Sequence, residues 1–171
     1  MENILVVRKA VPEDAEAILK ITREVFKTYQ EQAGIAGSLA ALNETVEDIV
    51  KDIETKHVFT ALYKDKVIGS VRIEILDDGT AYLSRFGVDS EYQSKGVGKV
   101  LIHAVDKLME EQKIKALCLH TASRMFSLVR FYYGQGFYIE STSSDRGYIR
   151  ALLCKEYKAA KIDEPIQGNV V

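Results

Sequence analysis

The chain has 171 residues, of which 47% are hydrophobic and 28% charged. This length allows one substantial core and is too short for two ordinary domains. The 23 Lys and Arg residues nearly balance the 25 Asp and Glu residues, the net charge is −2, and no basic run exceeds a pair, so the footprint of a nucleic-acid-binding protein is absent. The first residues carry an acid, Glu2, and no sustained apolar stretch. We therefore expect neither a secretory signal nor a membrane span, and a cytoplasmic location.

In the first half of the chain, the pattern predicts a strand at 4–9 and then a helix that begins at Pro12, where two acids follow the proline. The small-residue connection at 32–43 is either a mobile wall of a site or a loose interhelical loop. A second helix spans 46–53. Three strands, at 57–63, 67–76 and 82–88, are then predicted to form an antiparallel meander.

The second half continues with an amphipathic helix from Val97, a short apolar strand at 114–120 and a helix at 126–133. Two strands, at 137–140 and 148–157, end the predicted domain, which spans 1–157. Residues 158–171 have no apolar period and are expected to form a frayed tail. The order β-α-α-β-β-β-α-β-α-β-β predicts a mixed α/β fold with a mostly antiparallel sheet and helices on both faces.

The two cysteines, Cys118 and Cys154, each lie inside an apolar run. Their spacing fits neither a zinc site nor a Cys-x-x-Cys redox motif. We therefore predict two buried, inert thiols, and the sequence implies no metal.

The most informative stretch follows the strand that ends Phe86-Gly87-Val88. It reads Gln93-Ser94-Lys95-Gly96-Val97-Gly98-Lys99 and opens into a helix. Glycines let the main chain approach a ligand closely, and the unpaired N–H groups of a helix's first turn favour a phosphate. Leu101 and Val100 stand where a dinucleotide fingerprint needs glycine and a Walker A loop needs Ser or Thr, so both are excluded. A plain strand-turn-helix connection is the structural alternative.

With its flanks, Gln-x-x-Gly-x-Gly resembles the acyl-CoA pyrophosphate loop of the GNAT superfamily of acetyltransferases. Two more segments match the family pattern in sequence order. The opening, from Arg8 to Ile18, looks like the family's first strand and helix start. The segment from Arg130 to Phe137, Arg-Phe-Tyr-Tyr-Gly-Gln-Gly-Phe, is similar to the family's Leu-Tyr-x-x-x-Gly-Phe signature. The resemblance spans residues 4–157.

The resemblance implies where an acyl-CoA would bind. The main chain of Phe86, Gly87 and Val88 would pair with the pantetheine arm as another strand would. The pyrophosphate would lie on the N–H groups of residues 93–99, with Lys95 and Lys99 either as cations or as solvated lysines. Arg124 is a weaker candidate for the adenosine phosphate. The implied cofactor-binding residues are Phe86, Gly87, Val88, Gln93, Ser94, Lys95, Gly96, Val97, Gly98 and Lys99.

The resemblance also implies that the hydroxyl of Tyr132 donates the proton with which the coenzyme A thiolate leaves. The alternative is that its ring only packs in the core. Met125 replaces an asparagine that contacts the cofactor in many members, and Ser84 replaces a carboxylate that often serves as base. Glu74, Glu140, Asp145 or His120 are substitutes for that base, although each is otherwise a solvated acid or, for His120, a structural histidine.

These features predict an acyl-CoA-dependent N-acetyltransferase, in which a small-molecule or amino-terminal amine attacks acetyl-CoA directly in a ternary complex. No nucleic acid, membrane or metal is expected as a partner, and a homodimer is compatible with the sequence. One rival is a non-catalytic acyl-CoA-binding regulatory module, because the carboxylate at Ser84 is missing. A second is a nucleotide-binding α/β protein unrelated to coenzyme A.

Overall fold

The computed structural model describes residues 4–158. Of the predicted tail at 158–171, only Lys158 belongs to this range, and the remainder lies outside the described residues, as do the first three residues of the chain. None of the helices between residues 4 and 158 is both long and apolar enough to cross a membrane.

Seven strands and four α-helices make up the described part of the chain. They are β1 (Leu5–Lys9), α1 (Ala15–Ala33), α2 (Val46–Thr55), β2 (His57–Tyr63), β3 (Lys66–Ile75), β4 (Thr80–Val88), α3 (Val97–Glu111), β5 (Ala116–Ala122), α4 (Phe126–Gly134), β6 (Tyr138–Ser143) and β7 (Arg150–Glu156). The mixed α/β class with a mostly antiparallel sheet is confirmed.

The strands form one sheet in the order β1-β2-β3-β4-β5-β7-β6. All neighbours are antiparallel except β4 and β5, which run parallel and pair only from Thr80 to Tyr82 on β4. Beyond Tyr82 the two strands separate. Over the described residues, the second half of β4 therefore has no strand partner on the β5 side, and an open edge remains in the middle of the sheet.

The helices cover both faces of this sheet. Helix α3 buries Leu101, Ile102 and Val105 completely in the larger core. On the opposite face, α1 and α2 bury Ile18 and Ile49 in a smaller cluster. Complete burial of one such side chain stabilises the fold by about 1.5–3 kcal/mol, so the amphipathic stripes of the helices hold both layers in place.

Local signals in the sequence set the ends of the two helices on the second face. Helix α1 ends at Gly34, whose φ of 66° is a left-handed conformation that favours glycine. Helix α2 begins with a capping box, in which the Thr45 hydroxyl accepts from the N–H of Asp48 at 3.3 Å and the Thr45 N–H donates to the Asp48 carboxylate at 2.9 Å. These ends fix Glu44 and Asp52 over the sheet.

The connection between α1 and α2 is more ordered than a loose loop. Its last part, Ala40–Asn43, forms a 3-10 turn, and Ala41 is buried. Strand β6 also differs from the prediction, since it continues to Ser143, three residues beyond the predicted strand at 137–140. Pairing with β7 supplies the hydrogen bonds that their weak strand propensity does not reveal.

The prediction of two inert thiols is wrong. Antiparallel pairing of β5 with β7 places Cys118 directly opposite Cys154, with a Cα–Cα distance of 4.2 Å, and the two form a disulfide. The cysteines are 36 residues apart in the chain, and β5 and β7 become neighbours only because β6 takes the outer edge. The sequence spacing carried no sign of this pairing.

Candidate active site

A bulge in β4 shapes the open edge of the sheet. Ser70 pairs with Gly87 and Arg72 pairs with Ser84, so Arg85 and Phe86 together lie opposite one residue of β3. Arg85 has a φ of 52°, a left-handed conformation that costs a non-glycine residue about 1–3 kcal/mol. Such conformations persist where surrounding structure holds them, often at functional sites. The bulge lies in the half of β4 that β5 leaves free.

The segment predicted to bind a pyrophosphate forms the N-terminus of α3. Gly96 caps the helix with a φ of 84°, and Ser94 has a φ of 61°. Within residues 4–158, no acceptor is found for the main-chain N–H groups of residues 93–99. Together with the positive end of the helix dipole, these groups make a site that favours an anion. The side-chain amide of Gln93 donates to the Val88 carbonyl at 3.0 Å and ties the loop to the end of β4.

The two glycines of this segment have different structural reasons. A Cβ atom on Gly96 would meet no atom within 4 Å, so this position requires glycine only for its backbone conformation. A Cβ atom on Gly98 would lie 2.9 Å from Cζ of Phe86 and 3.3 Å from Cζ of Phe131. Gly98 therefore lets α3 pack closely on these two rings, a requirement that the sequence did not reveal.

The predicted cations lie in the open around this loop. Lys95 and Lys99 are both exposed, and the Lys95 ammonium is 5.6 Å from the centre of the Tyr92 ring. Arg124 is exposed as well, just before α4. All three side chains are free to turn toward a bound anion.

Tyr132 lies in an aromatic cluster that joins α4 to β4. Its ring centre is 6.0 Å from that of Phe86, 5.4 Å from Phe131 and 5.5 Å from Phe137. The residue is only 4% exposed, and its hydroxyl has no hydrogen-bond partner among residues 4–158. Burial, and in second place the neighbouring Tyr29, raise the pKa of Tyr132 well above its ordinary value. The hydroxyl therefore keeps its proton at neutral pH and is available as a proton donor.

The sheet face under α1 and α2 carries most of the remaining polar side chains. Residues directly opposite each other in neighbouring strands share a face, as do residues two apart in one strand. The observed register therefore puts Arg72, Tyr82, Ser84, His120 and Arg150 on this face. A cleft of about 600 Å³ runs between the face and α2.

An ion-pair network fills the α2 side of that cleft. Arg72 is 1% exposed and donates to both oxygens of Glu44, at 2.8 and 2.9 Å, and to Asp52 at 2.9 Å. Arg85 donates through Nε to the same Glu44 carboxylate at 2.9 Å. Glu44 and Asp52 are thus already neutralised by arginines. Ser84, where the family often has a carboxylate, lies beside Arg72 and offers no base.

His120 and Tyr82 form a hydrogen-bonded pair where β4 and β5 begin to separate. The Tyr82 hydroxyl and Nδ1 of His120 are 2.7 Å apart. Burial, followed by the charges of Arg150 and Arg146, lowers the pKa of His120, while Asp145 opposes this shift. Burial also raises the pKa of Tyr82. At neutral pH the pair therefore consists of a neutral imidazole and a protonated phenol.

The three acids considered as bases lie in less favourable places. Glu74 borders the cleft, but its side chain is 52% exposed and lies 3.9 Å from the Lys56 ammonium. Glu140 is exposed on β6, the outer strand. Asp145 is 65% exposed and accepts from the Ser143 hydroxyl at 3.2 Å. None of these carboxylates is buried at the open edge.

The sequence analysis missed Tyr82 and the ion-pair network of Arg72, and it also missed two residues near the end of β5. The Tyr29 hydroxyl, on α1, accepts from the N–H of Ala122 at 2.6 Å and so reaches the end of β5. Arg150 opens β7 opposite Ala122. Neither belongs to a local motif, and only the pairing of distant strands and the packing of α1 bring them to the site.

Comparison with known proteins gives a family match. The model of the acetyltransferase (GNAT) family matches residues 20–137. An uncharacterized N-acetyltransferase from Chlorobaculum tepidum is 29% identical over 120 residues, which is 70% of each chain. A spermidine N(1)-acetyltransferase from Thermoplasma acidophilum is 27% identical over 153 residues, which cover 80% of this chain and 89% of that protein.

Solved structures agree on the fold. The crystal structure of PaiA N-acetyltransferase from Thermoplasma acidophilum in complex with coenzyme A has a TM-score of 0.79 and 24% identity, over 90% of this chain and 99% of that one. The ribosomal-protein-S18-alanine N-acetyltransferase from Escherichia coli has a TM-score of 0.71 and 14% identity, over 90% and 94% of the two chains.

Proposed function

The chain belongs to the GNAT family of acetyltransferases, and from that premise we propose that it transfers an acetyl group from acetyl-CoA to a primary amine. The amine attacks the thioester directly, in a ternary complex of enzyme and both substrates. Much of the rate would come from holding the amine and the thioester together.

One observation carries the assignment of acetyl-CoA. The unpaired N–H groups of residues 93–99 lie next to the free edge of β4. An anion on the N–H groups and an extended amide chain along Phe86–Val88 would satisfy both sets of main-chain groups. Pyrophosphate and pantetheine are two such pieces of one molecule. The relative complexed with coenzyme A supports the same choice.

The proposed chemistry uses one proton acceptor and one proton donor. As the amine nitrogen bonds to the acetyl carbon, it becomes positively charged and acidic, and a neutral His120 accepts its proton. We assign the His120 tautomer that donates from Nδ1 to the Tyr82 oxygen, which leaves Nε2 as the acceptor. When the carbon–sulfur bond breaks, Tyr132 protonates the thiolate. The products are an N-acetylated amine and coenzyme A, and solvent then takes the proton from His120 and restores one to Tyr132.

The acceptor is a small-molecule or amino-terminal amine. Spermidine is the substrate named for one relative, at 27% identity. The cleft beside β4 is large enough for a small acceptor, and its lining mixes both charges. Amino acids, peptides with a free N-terminus and simple amines all belong in a first substrate panel.

Calorimetry with acetyl-CoA and a thiol-release assay over this panel test the proposal. We expect acetyl-CoA to bind and thiol to be released only when an amine is present. Binding without turnover of any amine would favour the non-catalytic acyl-CoA-binding module instead. Absence of acetyl-CoA binding would contradict the cofactor assignment itself.

A further inference from the structure

Arg72 and Arg150 lie on the same sheet face but differ in the carboxylates that they bind. Arg72 donates three hydrogen bonds to two carboxylates, all between 2.8 and 2.9 Å. In both arginines Nε is buried and has no hydrogen-bond partner within residues 4–158. The side chain of Arg150 is 12% exposed, and its one side-chain hydrogen bond in this range goes to Asp145, at 3.5 Å. That carboxylate is itself 65% exposed. Arg150 is therefore a largely desolvated cation with unused donors.

A largely desolvated guanidinium with unused donors favours the binding of an anion. Taking it out of water is costly unless its charge and its donors are matched. A carboxylate accepts two parallel N–H bonds from a guanidinium, and this geometry is stronger than a neutral hydrogen bond. The fold provides Arg72 with two carboxylates at 2.8–2.9 Å, whereas Arg150 has only the exposed Asp145, at 3.5 Å, within residues 4–158.

The position of Arg150 connects this unused cation to the proposed reaction. In the β5–β7 ladder Arg150 pairs with Ala122, two residues from His120 on the same face. Against the larger effect of burial, the positive charges of Arg150, Arg146 and Arg85 each lower the pKa of the Tyr82 hydroxyl. Arg146 is exposed in the turn before β7. The nearby acids Glu44 and Asp52 are held by Arg72, so a polycation would meet uncompensated positive charge here.

We propose that Arg150 binds a carboxylate of the acceptor, and that the acceptor is therefore an amine that also carries a carboxylate, such as an amino acid. This inference rests on the proposed function, since it names the substrate class of that site. Arg150 holds the acceptor by its acid group, and the amine is then directed toward the His120–Tyr82 pair. Spermidine, which has no acid group, lacks this contact.

Matched amine pairs test the inference by binding. Lysine and cadaverine differ by one carboxylate, as do phenylalanine and phenethylamine. Dissociation constants are measured by calorimetry at saturating coenzyme A, with spermidine as a polycation. We expect the carboxylate-bearing member of each pair to bind at least about tenfold more tightly, the range of a charged hydrogen bond. Equal binding of the members, tighter binding of spermidine or no measurable binding of any probe overturns the proposal.

Phosphoethanolamine and ethanolamine form a third pair, which distinguishes a carboxylate site from a phosphate site at Arg150. A preference within this pair that is absent from both carboxylate pairs identifies a phosphate site and overturns the carboxylate assignment. A preference in the carboxylate pairs supports it.

Three variants separate anion binding from a structural role of Arg150. Arg150→Gln should remove the carboxylate preference, and Arg150→Lys should keep only part of it because the forked geometry is lost. Asp145→Asn removes the carboxylate that accepts from Arg150 and should leave the preference intact or increase it. If Arg150 merely anchored Asp145, Asp145→Asn would lose the preference as Arg150→Gln does, which overturns the proposal. Circular dichroism checks that each variant folds.

Turnover is measured separately with acetyl-CoA. Carboxylate-selective binding that depends on Arg150, without acetylation of any amine, would contradict the proposed function while the anion site stands. Acetylation of amines without carboxylate selectivity would support the proposed function and contradict the anion site at Arg150. The two claims therefore fail in distinguishable ways.

Discussion

The two ends of the proposed site are built from different material. The cofactor end is one continuous stretch from Phe86 to Lys99, and it offers mainly main-chain groups on a free strand edge and a helix N-terminus. The acceptor end consists of side chains from α1, β4, β5 and the start of β7, as far apart in sequence as Tyr29 and Arg150. Main-chain binding tolerates many side chains, whereas the acceptor end depends on a few individual ones.

This difference predicts how the two ends respond to substitution. A change at the cofactor end should act through backbone conformation or local charge, and it should alter the affinity for acetyl-CoA. A change at the acceptor end should leave that affinity intact and alter turnover. Tyr132 lies between them, against Phe86 of the cofactor end and near Tyr29 of the acceptor end.

Tyr132→Phe is expected to have the largest effect. It keeps the ring in its aromatic cluster and removes only the proton donor, so kcat should fall by roughly 10- to 10⁴-fold, as for loss of a general acid. The acetyl-CoA dissociation constant, measured by calorimetry, should change little. Tyr133→Phe is the matched control, because Tyr133 is 51% exposed and should keep full activity. An unchanged kcat in Tyr132→Phe would show that the ring only packs.

His120→Gln tests the acceptor end alone. Glutamine can still bond to Tyr82, but it cannot accept the amine proton, so kcat/KM for the amine should fall by roughly 10²-fold. Acetyl-CoA affinity should stay as in the parent protein. His103→Gln is the control, since His103 is exposed on α3. If both histidine variants are equally active, His120 is a structural residue and the base lies elsewhere.

The cofactor end is tested by two substitutions of one glycine. Asp and Asn both tolerate the left-handed conformation of Gly96, and space is free around its Cβ position. Gly96→Asp adds a negative charge beside the pyrophosphate and should weaken acetyl-CoA binding by at least about tenfold, while Gly96→Asn should retain most of it. Equal affinities of the two variants would mean that no phosphate lies at this loop.

The same contrast explains what the sequence could predict. The element order and the loop at 93–99 follow from local periodicity, glycines and helix starts, which are all visible within short windows. Other features depend on which strands are neighbours in the sheet, namely the parallel pairing of β4 with β5 and the position of β7 between β5 and β6. These features are the Tyr82–His120 pair, the disulfide and the position of Arg150. A short window cannot show such pairings, so His120 remained one alternative among several and Arg150 was not found.

The smallest expected effect concerns the pH at which the acceptor end loses its base. An α-amino acceptor has a pKa near 8, so kcat/KM should rise with pH through roughly pH 7 to 9 as the amine loses its proton. His120 has a pKa below its ordinary value of about 6.5, so it is neutral throughout this range and becomes protonated only at lower pH. Below that pKa two protons oppose the reaction, and the slope of log kcat/KM against pH should increase from one to two.

The pH at which this slope changes, called the break here, identifies the base. Two nearby charges shift the pKa of His120 in opposite directions. Arg146 lowers the pKa of His120 and Asp145 raises it, so the break should move to higher pH in Arg146→Gln and to lower pH in Asp145→Asn. Both side chains are exposed, so water and salt screen them, and each shift should be a fraction of a pH unit that shrinks at high ionic strength. Glu74→Gln and Glu140→Gln should leave the break in place. If the break moves in Glu74→Gln but in neither Arg146→Gln nor Asp145→Asn, the base lies in the cleft beside α2 instead.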